Sequence, residues 1–224
     1  MEKKPKVAII GANGVIGTVL QKGLTDCDIT PLGKDRVDAR NLQDLILAFK
    51  NQDIIIHLAL NPNKDKMREN YRNEQYDPDN SLMTYNVYKA AKETGVKRVI
   101  MASSIHADNF YNFKDPGKLT IDHIPTPDSP YGANKLFMEF LGKYFATKGL
   151  EVICVRFGGV NAGNIQPDEF TEHNVWLSHK DCTAMMKAYI HAKSVPNNFA
   201  VFYAVSNNKH AIHDTSNPFG WKPK

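Results

Sequence analysis

Residues 6–20, KVAIIGANGVIGTVL, decide the fold of this chain. Residues 7–10 form a short apolar run with β-branched side chains, which is long enough for one buried strand. Gly11, Gly14 and Gly17 follow, and positions 15, 16, 19 and 20 are apolar at the spacing of a helix. The stretch therefore predicts a strand, a tight glycine turn and a helix, in that order.

The glycine turn is suited to a phosphate-containing cofactor. Backbone N–H groups at the start of a helix are unpaired and carry the positive end of the helix dipole, so they suit a pyrophosphate. Gly11 would permit the tight turn, Gly14 the approach of phosphates to the main chain, and Gly17 the close packing of helix on strand. Because the glycines lie in a strand–turn–helix context, we expect a dinucleotide here; the alternative is a turn that binds nothing.

The composition is that of an ordinary globular protein. The chain has 224 residues, of which 42% are hydrophobic and 23% charged, as expected for one domain. The formal net charge of +4 is small and dispersed, which argues against a nucleic-acid partner. No apolar stretch approaches the roughly 18 residues that span a membrane. Cys27, Cys154 and Cys182 fit neither a metal spacing nor a disulfide framework, so we expect no metal and a cytoplasmic location.

Strands and helices alternate along the chain. Predicted strands cover residues 7–10, 28–32, 53–60, 98–102, 151–157 and 199–205, and predicted helices cover residues 15–24, 41–50, 80–94, 131–147 and 178–191. This alternation predicts an α/β fold with a doubly wound parallel sheet, a single-domain Rossmann fold. Residues 61–79 give no clear assignment, and the charged part at 64–72 is interpreted as a solvated helix face. Residues 105–129 predict a long loop over the functional site.

Polar side chains are predicted to meet at the carboxyl edge of this sheet, where such folds bind ligands. Ser103 and Ser104 follow the fourth strand, and Tyr131 and Lys135 lie on one face of a helix, four residues apart. An ammonium beside a phenol is expected to lower the tyrosine pKa from its usual value of about 10, making Tyr131 an acid/base. Ser104 would hold the reacting oxygen of the substrate. His57, inside a buried strand, is interpreted as a core residue.

These motifs together resemble the extended short-chain dehydrogenase/reductase superfamily, also called the NAD-dependent epimerase/dehydratase family. The resemblance covers essentially the whole chain through GANGVIG at 11–17, IIIHLAL at 54–60, Asn80 opening its helix, ASS at 102–104, YGANK at 131–135 and VRFGG at 155–159. In that family the tyrosine is the acid/base, the lysine also holds the nicotinamide ribose, and the serine orients the substrate. Tyr131, Lys135 and Ser104 match these positions and are the expected catalytic residues.

The resemblance also implies where the cofactor, NAD or NADP, would bind. The family aspartate that contacts the adenine matches Asp38. The implied cofactor-binding residues are Gly11, Asn13, Gly14, Val15, Ile16, Gly17, Gly33, Lys34, Asp38, Ala39, Leu58, Ala59, Leu60, Ala102, Tyr131 and Lys135. After the second strand, Asp35 favours NAD, whereas Lys34 or Arg36 would pair with the 2′-phosphate of NADP. We favour NAD from the family resemblance.

Within the superfamily the chain is most similar to uronate dehydrogenases. The shared features are a serine pair and a histidine at 103–106, Pro-Asp-x-x-Tyr at 127–131, Trp-x-Ser at 176–178 and Gly-Trp-Lys-Pro at 220–223. The resemblance implies that those enzymes continue for a further segment beyond the point where this chain stops. The expected substrate residues are Ser104, Ile105, His106 and Gly159, of which Ile105 replaces an asparagine and Gly159 replaces a serine.

The arginine that would hold a sugar carboxylate is also replaced. Thr171 stands at its position, and no arginine follows Arg156. This loss predicts poor use of uronates and a preference for a neutral or smaller hydroxyl compound, because a buried carboxylate needs a charge-assisted partner. Alternative partners are His106, His173, a second chain, or the loop around Lys114 and Lys118.

The sequence thus predicts an oxidoreductase that moves a hydride between NAD(P) and a secondary alcohol or ketone of a sugar-like small molecule. Residues 105–130 and 158–224 would form a small substrate-binding portion of the single domain 1–224. A nucleotide-sugar epimerase or dehydratase and a dinucleotide sensor without turnover are the alternatives. A homo-oligomer is left open.

Overall fold

The computed structural model describes residues 3–61, 77–108, 110, 113–114, 117–169 and 174–224. Within them, strands and helices alternate. The order is β1 (Lys6–Ile10), α1 (Val15–Gly23), β2 (Asp28–Leu32), α2 (Leu42–Ala48), β3 (Ile54–His57), α3 (Pro78–Glu93), β4 (Arg98–Ser104), α4 (Pro130–Ala146), β5 (Glu151–Phe157), α5 (His179–His191) and β6 (Phe199–Ala204). Single 3₁₀ turns lie at Ile105–Ala107 and Pro196–Asn198.

The strands pair in parallel, in the order β2-β1-β3-β4-β5-β6. The chain moves from β1 to its neighbour β2 on one side and then crosses back to β3 on the other side. The direction of winding therefore changes at β1, and a crevice forms beyond its carboxyl end, where the glycine turn lies. The predicted doubly wound Rossmann fold is confirmed.

Helices cover both faces of the sheet. Helices α1 and α5 pack on one face, in a core that includes Leu20 and Met185, and α2, α3 and α4 pack on the other, in a core that includes Val87 and Met138. Alternate residues of β1 enter the two cores, because side chains of a strand point to opposite faces. This two-sided burial explains why the central strands are apolar without interruption.

Strand β2 forms one edge of the sheet and contains Pro31. The Asp28 N–H donates to the Pro5 carbonyl and the Leu32 carbonyl accepts from Gly11, so these residues face β1. By alternation Pro31 faces away from β1. Since proline has no N–H, it leaves no unpaired donor on this open edge.

Two element boundaries near the site differ from the prediction. Strand β3 ends at His57 rather than at residue 60, and the next residues, Leu58 and Ala59, lie against Gly11 of the glycine turn. Helix α3 begins at Pro78, two residues before Asn80, because the Asp77 side chain caps it by accepting from the Asp79 N–H and proline suits the first helical position.

The predicted loop after β4 is only partly irregular. Strand β4 continues to Ser104 and is followed at once by the 3₁₀ turn. Leu119 then pairs with His213 in a short bridge, within a small apolar cluster that also contains Tyr203. The segment after β4 is thereby joined to the C-terminal residues. The predicted helix face at 64–72 lies outside the described residues. In the described part of the chain, no helix is both long and apolar enough to cross a membrane.

Candidate active site

A cavity of about 340 Å³ lies at the carboxyl edge of the sheet. Its walls come from the first turn of α1, the ends of β3 and β4, the start of α4 and the segment after β5. The lining residues are Ile16, Leu58, Leu60, Ala102, Ser103, Ser104, Ile105, His106, Phe110, Tyr131, Lys135, Phe157, Gly158, Gly159, Val160 and Val175. The fold thus gathers the three predicted catalytic residues and the four predicted substrate residues around one space.

The glycine turn fits a pyrophosphate group. Gly11 has a φ of +81°, and a Cβ added to it would lie 2.7 Å from the Ala59 nitrogen. A Cβ on Gly17 would lie 2.5 Å from the Ala12 carbonyl oxygen. Gly14 is the N-cap of α1 and gives the helix no side-chain cap, so the first N–H groups of α1 are available to an anion. Asn13 and Val15, also predicted here, are exposed beside the turn.

The acidic residue after β2 lies against this turn. The Asn13 amide donates to the Asp35 carboxylate at 3.2 Å, and both side chains lie over the buried Gly33. Lys34 and Arg36 are exposed. The structure therefore places Asp35 beside the glycine turn, a contact that sequence spacing did not show.

The predicted adenine region is held by an ion pair. Arg40 binds the carboxylate of Asp38 at 2.6 Å and that of Asp79 at 3.2 Å. The hydrogen bond from the Arg40 side chain lowers the pKa of Asp38 to about 2. The Asn86 amide donates to the carbonyls of Ala39 and Arg40, which fixes this segment against α3. Leu58 and Ala59 are partly buried nearby, whereas Leu60 is exposed.

Tyr131, Ser104 and Lys135 form a compact group in the cavity. Ser104 forms a hydrogen bond with Tyr131, which lies in the first turn of α4. The Lys135 ammonium lies 5.5 Å from the centre of the Tyr131 ring and donates to the Ala102 carbonyl at 2.8 Å. Ser129 caps α4 by accepting from the Gly132 N–H, so the helix start that carries Tyr131 is fixed.

The predicted lowering of the Tyr131 pKa is wrong. Burial raises the pKa of Tyr131, the Ser104 hydrogen bond lowers it, and the Asp128 charge raises it further. The Lys135 ammonium bonds a carbonyl rather than the phenol. Burial also lowers the pKa of Lys135 to about 8, against the charge of Glu139. Tyr131 therefore keeps its proton at neutral pH.

A buried ion pair between Glu139 and Arg156 lies next to the site, and the sequence did not predict it. Glu139 accepts two hydrogen bonds of 2.9 Å from Arg156 and one from Ser103. Arg156 also donates to the Tyr203 hydroxyl at 2.9 Å. The spacing of Glu139 four residues beyond Lys135 places both on one face of α4. No sequence signal shows that Glu139 would contact Ser103 and Arg156, which the strand register sets opposite each other.

Two positions on the substrate side of the cavity carry no polar side chain. Ile105 is buried and Gly159 is partly buried, at the two positions where the resemblance implies polar residues. Among the described residues that line the cavity, the basic ones are His106 and Lys135, and none is arginine. Thr171 and His173 lie outside the described residues. Lys114 and Lys118 are exposed and do not line the cavity.

A separate polar group lies near the end of α5. Ligand atoms of Asp26, Cys27 and His191 come within 4.8 Å of one another. The Asp26 carboxylate pairs with Lys187 at 3.1 Å and with His191 at 3.0 Å. The lysine already balances the carboxylate charge, so we interpret this group as an ion-pair cluster.

The chain is similar to known proteins in sequence and in fold. The model of the NAD-dependent epimerase/dehydratase family matches residues 7–190. The chain belongs to this family. L-arabinose 1-dehydrogenase (NAD(P)(+)) of Haloferax volcanii is 32% identical, over 98% of this chain and 96% of its own length. Uronate dehydrogenase of Pseudomonas putida is 28% identical, over 98% of this chain and 84% of its own length.

A solved structure of a family member has the same fold. A mutant uronate dehydrogenase from Agrobacterium tumefaciens, complexed with NAD, superposes with a TM-score of 0.81 at 23% identity, over 99% of this chain and 85% of that one. The predicted family and its likeness to uronate dehydrogenases are confirmed. The predicted class of activity is confirmed as well: an NAD(P)-dependent dehydrogenase/reductase of a sugar-like compound.

Proposed function

We propose that this family member oxidises a neutral sugar, or reduces the corresponding carbonyl compound, with Tyr131 as the acid/base. The observation that carries the proposal is the grouping of Ser104, Tyr131 and Lys135 in one cavity beside the uncapped start of α1. When bound, NAD(P) accepts the hydride from the reacting carbon. The glycine turn would hold its pyrophosphate, and Lys135 its nicotinamide ribose.

The chain's own residues move the proton and orient the substrate. In the oxidative direction the hydroxyl proton of the substrate passes to the Tyr131 phenolate oxygen. The hydride leaves the carbon that bears this hydroxyl, and a carbonyl group forms there. Ser104 holds the reacting oxygen, and the Lys135 ammonium favours the phenolate once it forms. Because Tyr131 is protonated at neutral pH, oxidation should speed up with rising pH and carbonyl reduction should slow down.

Replacement of the tyrosine tests this assignment. Tyr131→Phe should lower the turnover rate by ~10²–10⁴-fold, the usual contribution of an acid/base group, while NAD binding is retained. Tyr85→Phe, on the exposed face of α3, is the matched control and should turn over like the wild type. A Tyr131→Phe variant with wild-type turnover would show that another group moves the proton.

The proposed substrate is a neutral aldose rather than a uronate. Supporting observations are the buried Ile105, the absence of arginine among the described cavity residues, and the activity for which the Haloferax volcanii relative is named. Desolvating a carboxylate without a charged partner costs several kcal/mol.

Steady-state assays with L-arabinose, D-glucose and D-galactose, each beside glucuronate and galacturonate, decide the substrate. We expect a higher kcat/KM for an aldose. A uronate kcat/KM of ~10⁴ M⁻¹s⁻¹ or more would overturn the proposal. Tight NAD(P) binding without turnover on the whole panel would favour a dinucleotide sensor instead.

The proposal extends to the cofactor, the substrate portion and the assembly. NAD is the proposed cofactor because Asp35 lies at the glycine turn. Residues 105–130 and 158–224 are the proposed substrate portion, supported by the pairing of Leu119 with His213. A homo-oligomer is proposed because α3 and α4 expose apolar side chains. The cytoplasm is the proposed location, since the three cysteines are free.

A further inference from the structure

His106 is held at one wall of the cavity by several hydrogen bonds. Its Nδ1 lies 2.6 Å from an Asp128 carboxylate oxygen. Its backbone N–H donates to the Ser104 hydroxyl at 3.2 Å, and its carbonyl accepts from the Asp128 N–H at 3.4 Å. The imidazole is therefore fixed between a residue that would hold the reacting oxygen and the segment that leads into α4.

The contact between His106 and α4 is close. A Cβ added to Gly132 would lie 1.9 Å from the His106 carbonyl oxygen, so only glycine fits at this position. The His106 and Tyr131 rings meet edge to face, with centres 6.0 Å apart. Asp128 is itself oriented, because the Ser129 hydroxyl donates to its second oxygen at 2.7 Å.

We propose that Asp128 is a positioning residue that acts through His106. It fixes which ring nitrogen of His106 carries the proton and turns the rest of the imidazole toward the sugar. An ionised carboxylate only accepts hydrogen bonds, so Nδ1 is the donor in this contact. The pair then presents a fixed imidazole to a substrate hydroxyl next to the reacting carbon. This inference rests on the proposed function, in which the cavity holds a sugar.

The charges around the pair favour this arrangement. Asp128 approaches from the loop before α4, and Tyr131 and Lys135 approach from α4. Asp108, another acid of this loop region, is engaged by His123 at 2.7 Å and by the Tyr203 hydroxyl at 3.1 Å. Among these groups Asp128 is the carboxylate that bonds the His106 ring.

A double-mutant cycle tests the coupling. Asp128→Ala should lower kcat/KM for the sugar about tenfold or more, as expected for one lost charge-assisted hydrogen bond, while the Kd for NAD stays unchanged. In a His106→Ala background, Asp128→Ala should have no further effect. Equal losses in both backgrounds would overturn the proposal. Asp122→Asn, an exposed change in the same loop, is the matched control.

The cycle should be measured on the plateau of the pH–rate profile. The Asp128 charge also raises the pKa of Tyr131. In Asp128→Asn, the rise of the oxidation rate that follows the deprotonation of Tyr131 should therefore occur at lower pH. This shift should persist without His106, because it acts through space. The plateau values therefore isolate the effect that passes through the imidazole.

Ring ¹⁵N shifts of His106 give a readout that does not depend on turnover. The wild type should show the tautomer protonated at Nδ1, and Asp128→Ala should shift the population toward the other tautomer. An unchanged tautomer in Asp128→Ala would refute the link between the two residues. If the wild type turned over no sugar, the proposed function would fail while this spectrum still tested the positioning role.

Discussion

At the residue scale, the buried Arg156 guanidinium depends on the charge of the Glu139 carboxylate. Both side chains are about 5% exposed, and Glu139 supplies two of the hydrogen bonds of Arg156. Without that charge, Arg156 keeps the Tyr203 hydroxyl and Asp108 at 3.7 Å. Burying a guanidinium that is only partly compensated is costly, because the lost hydration is only partly replaced.

We therefore expect Glu139→Gln to lower the free energy of unfolding by about 3 kcal/mol, as when one partner of a buried pair is removed. Glu93→Gln is the control, since Glu93 is exposed and lies 4.0 Å from Lys89, and it should change stability by less than ~0.5 kcal/mol. Denaturant titrations of both variants measure the difference. Equal effects would show that water reaches Arg156.

Asp35 is the second residue with a sharp expectation. Its carboxylate lies at the glycine turn, where an acid accepts both hydroxyls of the adenosine ribose. Asp35→Ser should weaken NAD binding and reduce the preference for NAD over NADP. Equilibrium titration with both cofactors measures this. If the wild type bound NADP more tightly than NAD, Lys34→Ala should weaken the binding of NADP.

At the scale of elements, helix α1 can lie close to the glycine turn because Gly17 has no side chain. Gly17 lets the helix lie against the Ala12 backbone, and this contact sets the distance between α1 and the turn. Gly17→Ala should force the helix outward, lower stability by about 1–3 kcal/mol through overpacking, and weaken NAD binding. Gly163→Ala is the control, because its new Cβ would first meet the flexible Ile165 side chain, at 3.3 Å. Thermal unfolding should rank the two variants clearly; equal melting temperatures would contradict the packing argument.

The same scale includes the outer faces of α3 and α4. Large apolar side chains are exposed along them: Leu82, Tyr85, Phe137, Phe140 and Tyr144. Such a face suits contact with a second copy. In light scattering, the wild type should have the mass of an oligomer, and Phe140→Glu should have a smaller one. Ile165→Glu, elsewhere on the surface, should not change the mass, and a monomeric wild type would contradict the proposal.

At the scale of the whole molecule, two buried histidines make folding sensitive to acid. Burial lowers the pKa of His57 and of His213 to about 3, with help from Lys135 and Lys118 respectively. The unfolded chain binds these protons near pH 6.5, so stability is full above that pH and falls as the pH drops toward 3.

Each histidine should contribute a loss of about 2 kcal/mol between pH 7 and pH 5. Denaturation at a series of pH values measures the slope of stability against pH. His57→Gln should make that slope shallower, whereas His191→Gln, at an exposed position, should leave it nearly unchanged. A His57→Gln slope identical to that of the wild type would show that His57 is protonated in the native state.

The sequence by itself determined the order of strands and helices, the glycine turn and the placing of Tyr131 and Lys135 on one face of α4. These follow from local patterns: apolar periodicity, glycine spacing, and Tyr131 and Lys135 one helical turn apart. Caps set the exact helix starts, and Asp77, whose side chain begins α3, was missed because polar residues surround it.

Only the tertiary structure decided which distant residues meet and how much water surrounds them. The contacts of Asp128 with His106 and of Glu139 with Arg156 join separate segments, and no local spacing encodes them. The sequence also could not give the direction in which the Tyr131 pKa shifts, because a pKa depends on burial and on the sum of neighbouring charges. Desolvation is a property of the packed site, and it exists only once the chain has folded.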